Sequence, residues 1–176
     1  MFKKQIKILG IDPGYYKNAY CIIKFNNNKK KIKIIKLYNL NLSKKNNNNK
    51  KLFKIYNITN KIIKKYKPNI IIIERPFLGK NIKTLIKLSK IQTIFILLSN
   101  KFKIKIIKYY PKQIKFLLTK NGNCKKNDIY NFLKKIKFNN KSIKFKKKNH
   151  DINDSLAIAL SYLIDKKLLN NFHLRK

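Results

Sequence analysis

Two kinds of apolar pattern along the chain predict a sheet of five strands flanked by helices. Short apolar runs bounded by Gly, Pro or Asn are typical of β-strands. One run has four consecutive isoleucines without polar alternation, as expected of a central parallel strand covered on both faces. The predicted strands are Lys7–Asp12, Tyr20–Phe25, Ile32–Leu37, Asn69–Glu74 and Ile104–Tyr109. The first three are expected to form a meander, with the second and third antiparallel.

The other pattern is an apolar repeat every three or four residues, which is typical of amphipathic helices. A Lys- and Asn-rich tract, residues 43–51, separates the third strand from the first helix and is predicted to be a loop. The predicted helices are Leu52–Lys65, Asn81–Asn100, Pro111–Leu118, Asn127–Lys135 and Asp151–Leu169. Three strands followed by alternating helices and strands indicate one α/β domain with a mixed sheet.

The 176 residues suit a single domain, which we place at residues 1–168, followed by a C-terminal tail of residues 169–176. The longest apolar run, residues 94–98, is far shorter than the ~20 residues that span a bilayer. Cys21 and Cys124 lie far apart, as expected of free thiols in a reducing compartment. We therefore expect a soluble cytoplasmic protein with no membrane association.

The chain has 45 Lys and Arg residues against 6 Asp and Glu, giving a net charge of +39. Such a charge suits a protein that lies along a nucleic acid. A disordered basic protein is excluded by the 44% hydrophobic residues. Because Lys, Ile and Asn dominate and Val is absent, we infer that AT-rich coding DNA supplied part of the charge.

This biased composition makes clusters of scarce residue types informative. They occur at residues 10–14, 74–79, 122 and 151–159, and they contain four of the six carboxylates. Those four are Asp12, Glu74, Asp151 and Asp154.

The four carboxylates are expected to converge. Asp12 and Glu74 end predicted strands, and they would meet at the carboxyl edge of the sheet if those strands are parallel neighbours. Asp151 and Asp154 are three residues apart at the start of a helix and therefore share one face. Gathered carboxylates favour hard cations such as Mg²⁺ or Mn²⁺. Two such ions cleave phosphodiesters in many nucleases, so the pattern predicts a metal-dependent nuclease.

Each motif taken alone has a simpler interpretation. Asp12 with Pro13 and Gly14 could be an ordinary turn, and Asp151 with Asp154 could be a helix start favoured by the helix dipole. Glu74 is harder to explain, because a carboxylate that closes an isoleucine run is costly unless it is paired or metal-bound.

Together these motifs resemble the RuvC family of Holliday junction resolvases, in the retroviral-integrase and RNase H-like superfamily. The resemblance covers about residues 8–163 and rests on Ile8–Gly14, on Glu74 with Phe77 and Asn81 behind it, and on His150–Ala159. It implies an RNase H-like fold for residues 1–168. The implied activity is resolution of four-way DNA junctions during recombination and repair.

The resemblance also implies roles for particular residues. Asp12, Glu74, Asp151 and Asp154 would be the catalytic ligands of two Mg²⁺ ions per active site, with Mn²⁺ as an alternative. The segment from Tyr110 to Lys126 matches a family segment with two functional lysines, which would be Lys115 and Lys126 and would bind DNA. Phe77 would contact unpaired bases at the crossover. His150 is a candidate accessory acid, base or ligand, or simply a solvated residue.

Some positions depart from the family pattern. Tyr15, Tyr16 and Ala19 stand where a small hydroxyl residue and a glycine are usual, and Lys120 replaces a common glycine. These departures bear on substrate fit more than on metal binding.

Two alternatives to this function stay open: another RNase H-like nuclease, and a non-catalytic basic protein that binds nucleic acid.

A four-way junction is close to two-fold symmetric, so paired cleavage predicts a homodimer with one active site per copy. The helix Asn81–Asn100 offers a candidate surface, because it has more apolar positions than packing on a sheet requires. The surplus positions are taken to be Ile91, Ile94, Phe95 and Leu98, with burial in the core as the alternative. The resemblance adds a RuvA–RuvB branch-migration complex as a candidate partner.

Overall fold

A computed structural model describes residues 4–45, 47–76, 81–139 and 150–169 of the protein. Its five strands form one sheet in the order β3-β2-β1-β4-β5. The strands are β1 (Gln5–Asp12), β2 (Lys17–Asn26), β3 (Lys31–Asn41), β4 (Ile70–Glu74) and β5 (Lys105–Tyr109). β1, β2 and β3 pair antiparallel, whereas β1, β4 and β5 pair parallel. The predicted mixed sheet is therefore confirmed, with β4 between two parallel neighbours.

Helices cover both faces of this sheet. They are α1 (Asn48–Tyr66), α2 (Ile82–Lys101), α3 (Pro111–Thr119), α4 (Lys126–Lys135) and α5 (His150–Asp165). The isoleucines of β4 alternate between the two layers, because successive side chains of a strand point to opposite faces. Ile70 and Ile72 join the core beneath α3, α4 and α5, while Ile71 and Ile73 join the core beneath α1 and α2. The unbroken isoleucine run reflects this burial on both faces.

Three predicted boundaries differ from the structure by four residues each, and the others by three or fewer. α1 begins at Asn48, inside the tract predicted as a loop, because the Asn47 side chain accepts a hydrogen bond from the Lys50 amide at 2.9 Å and caps the helix. β3 continues to Asn41 because its pairing with β2 continues that far. α5 ends at Asp165 and not at Leu169, since Lys167 adopts a left-handed backbone with φ of 52°. Residues 170–176 of the predicted tail lie outside the described residues.

The predicted surplus on α2 is wrong for three of its four positions. Ile91, Phe95 and Leu98 are fully buried in the core shared with α1 and the sheet, and Ile94 is partly buried against that core. Helical periodicity marked the apolar positions correctly but could not say which of them face the sheet. The exposed apolar side chains of α2 are instead Ile82, Ile86 and Leu97.

Both cysteines are free thiols, as predicted, and the structure also buries both of them. Burial raises the pKa of the Cys21 thiol, which disfavours the reactive thiolate. Within the part of the chain that the structure describes, no helix is both long and apolar enough to cross a membrane.

Candidate active site

The ends of β1 and β4 bring the first two predicted carboxylates together. In the parallel pairing of these strands, Ile11 lies opposite Ile73. The next residues are Asp12 and Glu74, which are the last residues of their strands. They therefore lie side by side at the carboxyl edge of the sheet, where open α/β sheets commonly bind ligands.

α5 brings the other two carboxylates to the same edge by lying directly against β1. Gly10 makes this approach possible, because a Cβ atom there would overlap the Ser155 carbonyl oxygen and lie 2.8 Å from the Ala159 Cβ. The scarce small residues Gly10 and Ala159 thus form the contact between strand and helix. Asp151 and Asp154, in the first turns of α5, reach the end of β1 as a result.

All four predicted carboxylates line one pocket of about 290 Å³. Lys115 of α3 and Lys126 of α4, the two predicted DNA-binding lysines, line the same pocket. Five separate elements therefore contribute to it. In a protein with 45 basic residues, four of the six acidic residues are collected at this one place.

The electrostatics of the pocket are those of crowded, half-buried acids. Burial, and after it the Asp154, Glu74 and Asp151 carboxylates, together raise the pKa of Asp12 to about 7, against the opposing charge of Lys126. Burial and the Asp154 carboxylate likewise raise the pKa of Glu74 to about 7. Each carboxylate is easier to keep charged when a cation lies among them, since opposite charge favours the ionised form.

The two lysines partly neutralise the pocket. Lys126 Nζ donates a hydrogen bond to Asp154 Oδ2 at 3.2 Å. Burial works against the charged form of Lys126, but Asp154 raises the lysine pKa overall. Lys115 acts on Glu74, because its positive charge lowers the pKa of that carboxylate and opposes the effect of burial.

A tight turn fixes the backbone that follows Asp12. The buried Asn18 side chain donates to the Gly14 carbonyl oxygen at 2.7 Å and accepts from the Gly14 amide at 3.4 Å. Sequence reasoning missed Asn18, because one asparagine among many gives no signal in this composition. Its two hydrogen bonds hold the turn closed and so support the position of Asp12.

The unusual tyrosines after this turn pack against α1. The Tyr15 and Tyr16 rings meet edge to face at 4.8 Å, and Lys51 Nζ lies 4.8 Å and 4.9 Å from their respective centroids. Lys51 is itself buried, so its charge is held by aromatic faces. Neither tyrosine lines the carboxylate pocket, so the departure from the family pattern does not change that lining.

The donor chemistry of the pocket fits a hard divalent cation, because all four acidic ligands offer oxygen. Within residues 4–45, 47–76, 81–139 and 150–169, however, no group of three or more His, Cys, Asp or Glu side chains is arranged to hold a metal ion. Asp154 is instead directed to Lys126. Metal binding therefore requires these side chains to turn toward a common point from backbone positions that are already adjacent.

The remaining predicted residues are less well placed. His150 is the exposed first residue of α5, and it does not line the carboxylate pocket. It acts on the site electrostatically: burial, the largest cause, raises the pKa of Asp154, and His150 opposes that rise. Phe77 lies outside the described residues.

Comparison with known proteins agrees with this arrangement. The family model described as "Crossover junction endodeoxyribonuclease RuvC" matches residues 8–162, a span that includes all four carboxylates. The chain belongs to the RuvC family. A Christiangramia forsetii relative named crossover junction endodeoxyribonuclease RuvC is 35% identical over 162 residues, covering 92% of this chain and 81% of the relative.

Solved RuvC structures share the fold. The Thermus thermophilus RuvC structure has a TM-score of 0.78 at 16% identity, covering 97% of this chain and 99% of that one. T. thermophilus RuvC in complex with a Holliday junction substrate has a TM-score of 0.72 at 14% identity, covering 93% and 96%. The predicted RNase H-like α/β fold is therefore confirmed.

One contact beside the RuvC carboxylate pocket had no predicted role. Arg75 follows Glu74 directly, and its Nη1 donates to the Tyr110 hydroxyl at 2.9 Å while its guanidinium lies 4.7 Å from the Tyr110 ring centroid. Arg75 lies in one of the clusters of scarce residue types, since arginine occurs at two positions in the chain. Its partner is 35 residues away in sequence, and only the parallel pairing of β4 with β5 reveals it.

Proposed function

We propose that this RuvC-family protein is a crossover junction endodeoxyribonuclease that resolves four-way DNA junctions in recombination and repair. The observation that carries the proposal is the single pocket lined by Asp12, Glu74, Asp151 and Asp154. The family match supports it, because the matched span contains every one of these residues.

The four carboxylates are proposed to bind two Mg²⁺ ions, with Mn²⁺ as an alternative. When bound, such ions supply an activated water and stabilise the charge that develops on a phosphodiester. The carboxylates hold and orient the ions, and their partial burial limits competing water. The raised pKa values of Asp12 and Glu74 support this role, since burial and neighbouring carboxylates both disfavour the ionised forms and bound cations would offset that cost.

The basic residues around the pocket are proposed to position the DNA strand. Lys115 and Lys126 line the pocket, and we expect them to contact the phosphates that flank the scissile bond. Phe77 is proposed to contact an unpaired base at the crossover, and His150 to act as an accessory group at the start of α5. The wider positive charge supplies affinity without sequence preference.

The active form is proposed to be a homodimer, because two like-polarity strands of a two-fold junction must be cut. The surface that supports this proposal is the exposed side of α2, which we call the stripe; its apolar residues are Ile82, Ile86 and Leu97, with polar residues between Ile86 and Leu97. Their helical spacing places them on one side of α2, away from the buried Ile91 and Phe95. This stripe replaces the buried positions first suggested by the sequence.

Several wider predictions remain proposals. The nuclease domain is assigned to residues 1–168 and the tail to residues 169–176, and the protein is expected to act in the cytoplasm. A RuvA–RuvB branch-migration complex is expected to deliver the junction. The free buried cysteines agree with a reducing compartment.

A synthetic four-way junction with one labelled strand per arm tests the proposal. Purified protein should nick two opposing strands symmetrically in Mg²⁺ and none in excess EDTA. Linear duplex of the same sequences should remain uncut under both conditions. Junction binding without cleavage across a range of Mg²⁺ and Mn²⁺ concentrations would favour the non-catalytic alternative, and cleavage of any duplex or hybrid would favour another RNase H-like nuclease.

A further inference from the structure

A second pocket opens beside the carboxylate pocket, on the other side of the first turn of α3. It has a volume of about 540 Å³ and is lined by Tyr110, Pro111, Lys112, Lys115, Gly122 and Asn123. We call it the Tyr110 cleft. Pro111 and Lys115 line both pockets, so the cleft adjoins the proposed catalytic pocket. Its volume lies within the range of sites that bind small organic groups.

The Tyr110 ring is held in place at the edge of this cleft. The ring is exposed, yet Arg75 both stacks on it and hydrogen-bonds its hydroxyl. The Arg75 amide also donates to the Tyr109 carbonyl oxygen at 2.8 Å, which fixes Arg75 against the end of β5. A tyrosine restrained in this way loses little side-chain entropy when a flat group stacks on it.

The opposite wall of the cleft contains Gly122, one of four glycines in the chain and a residue with no role in the proposed catalysis. Gly122 approaches α3 so closely that a Cβ atom there would lie 3.3 Å from the Lys112 carbonyl oxygen. Asn123 follows Gly122 and also lines the cleft, and its side chain is an amide, a group that can both donate and accept hydrogen bonds. The cleft therefore combines an aromatic ring, a proline, lysine stems and one amide.

We propose that the Tyr110 cleft binds an unpaired nucleobase of the junction strand that enters the carboxylate pocket. A phosphate would not suit the aromatic and proline walls, whereas a base has a flat face to stack on Tyr110 and polar edges for Asn123. Lys112 and Lys115 at the cleft can hold the backbone on either side of that base. Bases at a crossover cost less to unstack than bases inside a duplex, because the branch point already interrupts continuous stacking along the strands.

This inference rests on the proposed function for the location of the strand, but its test does not require cleavage. Binding is measured by fluorescence anisotropy in EDTA at fixed salt, using junctions with a single abasic site at each nucleotide around the crossover. For the wild type, one abasic position should weaken binding by roughly tenfold, the scale of losing one base stacked on an aromatic ring.

Variants of Tyr110 then show whether the affinity lost at the abasic position comes from a base that binds in the cleft. Tyr110→Ala should weaken binding to the intact junction by a similar factor and show no further loss at the sensitive abasic position, because both changes remove the same contact. Tyr110→Phe keeps the ring and should retain the abasic penalty. Phe116→Ala is the matched control, since Phe116 is an equally exposed aromatic on α3 that does not line the cleft.

Either of two results would overturn the inference. One is that no abasic position weakens binding by the wild type; the other is that the penalty survives unchanged in Tyr110→Ala. Asp12→Asn separates this inference from the proposed function, because the variant should keep the abasic penalty while losing cleavage. Cleavage by Asp12→Asn at the wild-type rate would contradict the proposed catalytic site and leave the cleft result intact.

Discussion

Lys126 Nζ lies 3.2 Å from Asp154 Oδ2, so a lysine ammonium already pairs with one of the four pocket carboxylates. A divalent ion that used the same carboxylate would have to displace or share this contact. The lysine side chain is 62% exposed, so it can swing toward solvent or DNA at little cost. The pair therefore links metal binding to DNA binding.

Replacing Lys126 should separate these two effects. Lys126→Met should lower the Mg²⁺ concentration for half-maximal cleavage by up to about fivefold, because an exposed charge pair contributes at most about 1 kcal/mol. Junction affinity and maximal rate should fall, since a phosphate contact is lost. Mg²⁺ titrations of cleavage, with Lys126→Arg as the charge-retaining control, measure both. An unchanged Mg²⁺ requirement in Lys126→Met would show that the lysine does not compete with the ion.

The carboxylates themselves should be needed for cleavage and not for binding. Asp12→Asn and Glu74→Gln should each slow cleavage by more than about 100-fold, because even residues that only support a metal ligand contribute 10- to 100-fold. Junction affinity should be unchanged or slightly higher, since a negative charge near the phosphates has been removed. Gel-based cleavage and anisotropy report the two quantities.

A carboxylate outside the pocket provides the control for these variants. Asp128 accepts a hydrogen bond from the Lys125 amide at the start of α4, and asparagine can make the same cap. Asp128→Asn should therefore cleave like the wild type. If Asp12→Asn lost junction binding in step with cleavage while remaining folded, Asp12 would have a structural role.

Gly10 should be intolerant of even one methyl group. A Cβ atom at residue 10 meets the Ser155 carbonyl oxygen and the Ala159 side chain, so Gly10→Ala must push α5 away from β1. We expect a loss of about 1–3 kcal/mol in the free energy of unfolding, as for other overpacked cores. The cleavage rate of the folded variant should also fall, beyond what the loss of stability accounts for, because Asp151 and Asp154 move with the helix.

Chemical denaturation of Gly10→Ala beside Gly122→Ala checks this expectation. Gly122 has more room, with its nearest neighbour 3.3 Å from the added carbon, so its substitution should cost less than that of Gly10. Equal stability of Gly10→Ala and the wild type would mean that α5 does not press on β1 as closely as the structure indicates.

The convergence of the carboxylates could be predicted because its causes are local. An isoleucine run that ends in Glu74, and a β-prone run that ends in Asp12, place both acids at strand ends before any tertiary contact is known. Parallel pairing then brings them together. The composition helped as well, because carboxylates are rare enough in this chain for their positions to be informative.

What could not be predicted depends on tertiary contacts between distant segments. The apolar positions of α2 were visible, but whether Phe95 or Leu97 faced the sheet depends on how the helix is rotated against α1. The Arg75–Tyr110 pair arises from the pairing of β4 with β5. Lys115 and Lys126 could not be told from other lysines without the family resemblance, and the structure places both at the pocket.

Preference for junctions should depend on salt. With a net charge of +39, the protein should bind any duplex tightly at low ionic strength, and that affinity should fall steeply as salt rises, because releasing counterions into a more concentrated solution gains less free energy. Contacts that depend on junction shape should persist, so the ratio of junction to duplex affinity should rise with salt. Anisotropy titrations from low to physiological salt test this. A ratio that stays near one throughout would support the basic-binder alternative.

Assembly should depend on the exposed stripe of α2 and not on its buried face. Ile86→Glu or Leu97→Glu should give folded monomers, because a charge on the stripe must be desolvated if two copies pack through it. Phe53→Glu is the control, since Phe53 is equally exposed but lies on α1. Phe95→Glu should instead unfold the protein, because Phe95 is fully buried.

Light scattering of the free and junction-bound protein gives the number of copies. The wild type should bind a junction as two copies and linearise a cruciform plasmid in one encounter, whereas a stripe monomer should leave nicked circles because its two cuts are uncoupled. The Phe53→Glu control should behave as the wild type. A wild type that binds the junction as a single copy and still makes paired cuts would contradict the dimer, since one pocket cannot reach two opposing strands at once.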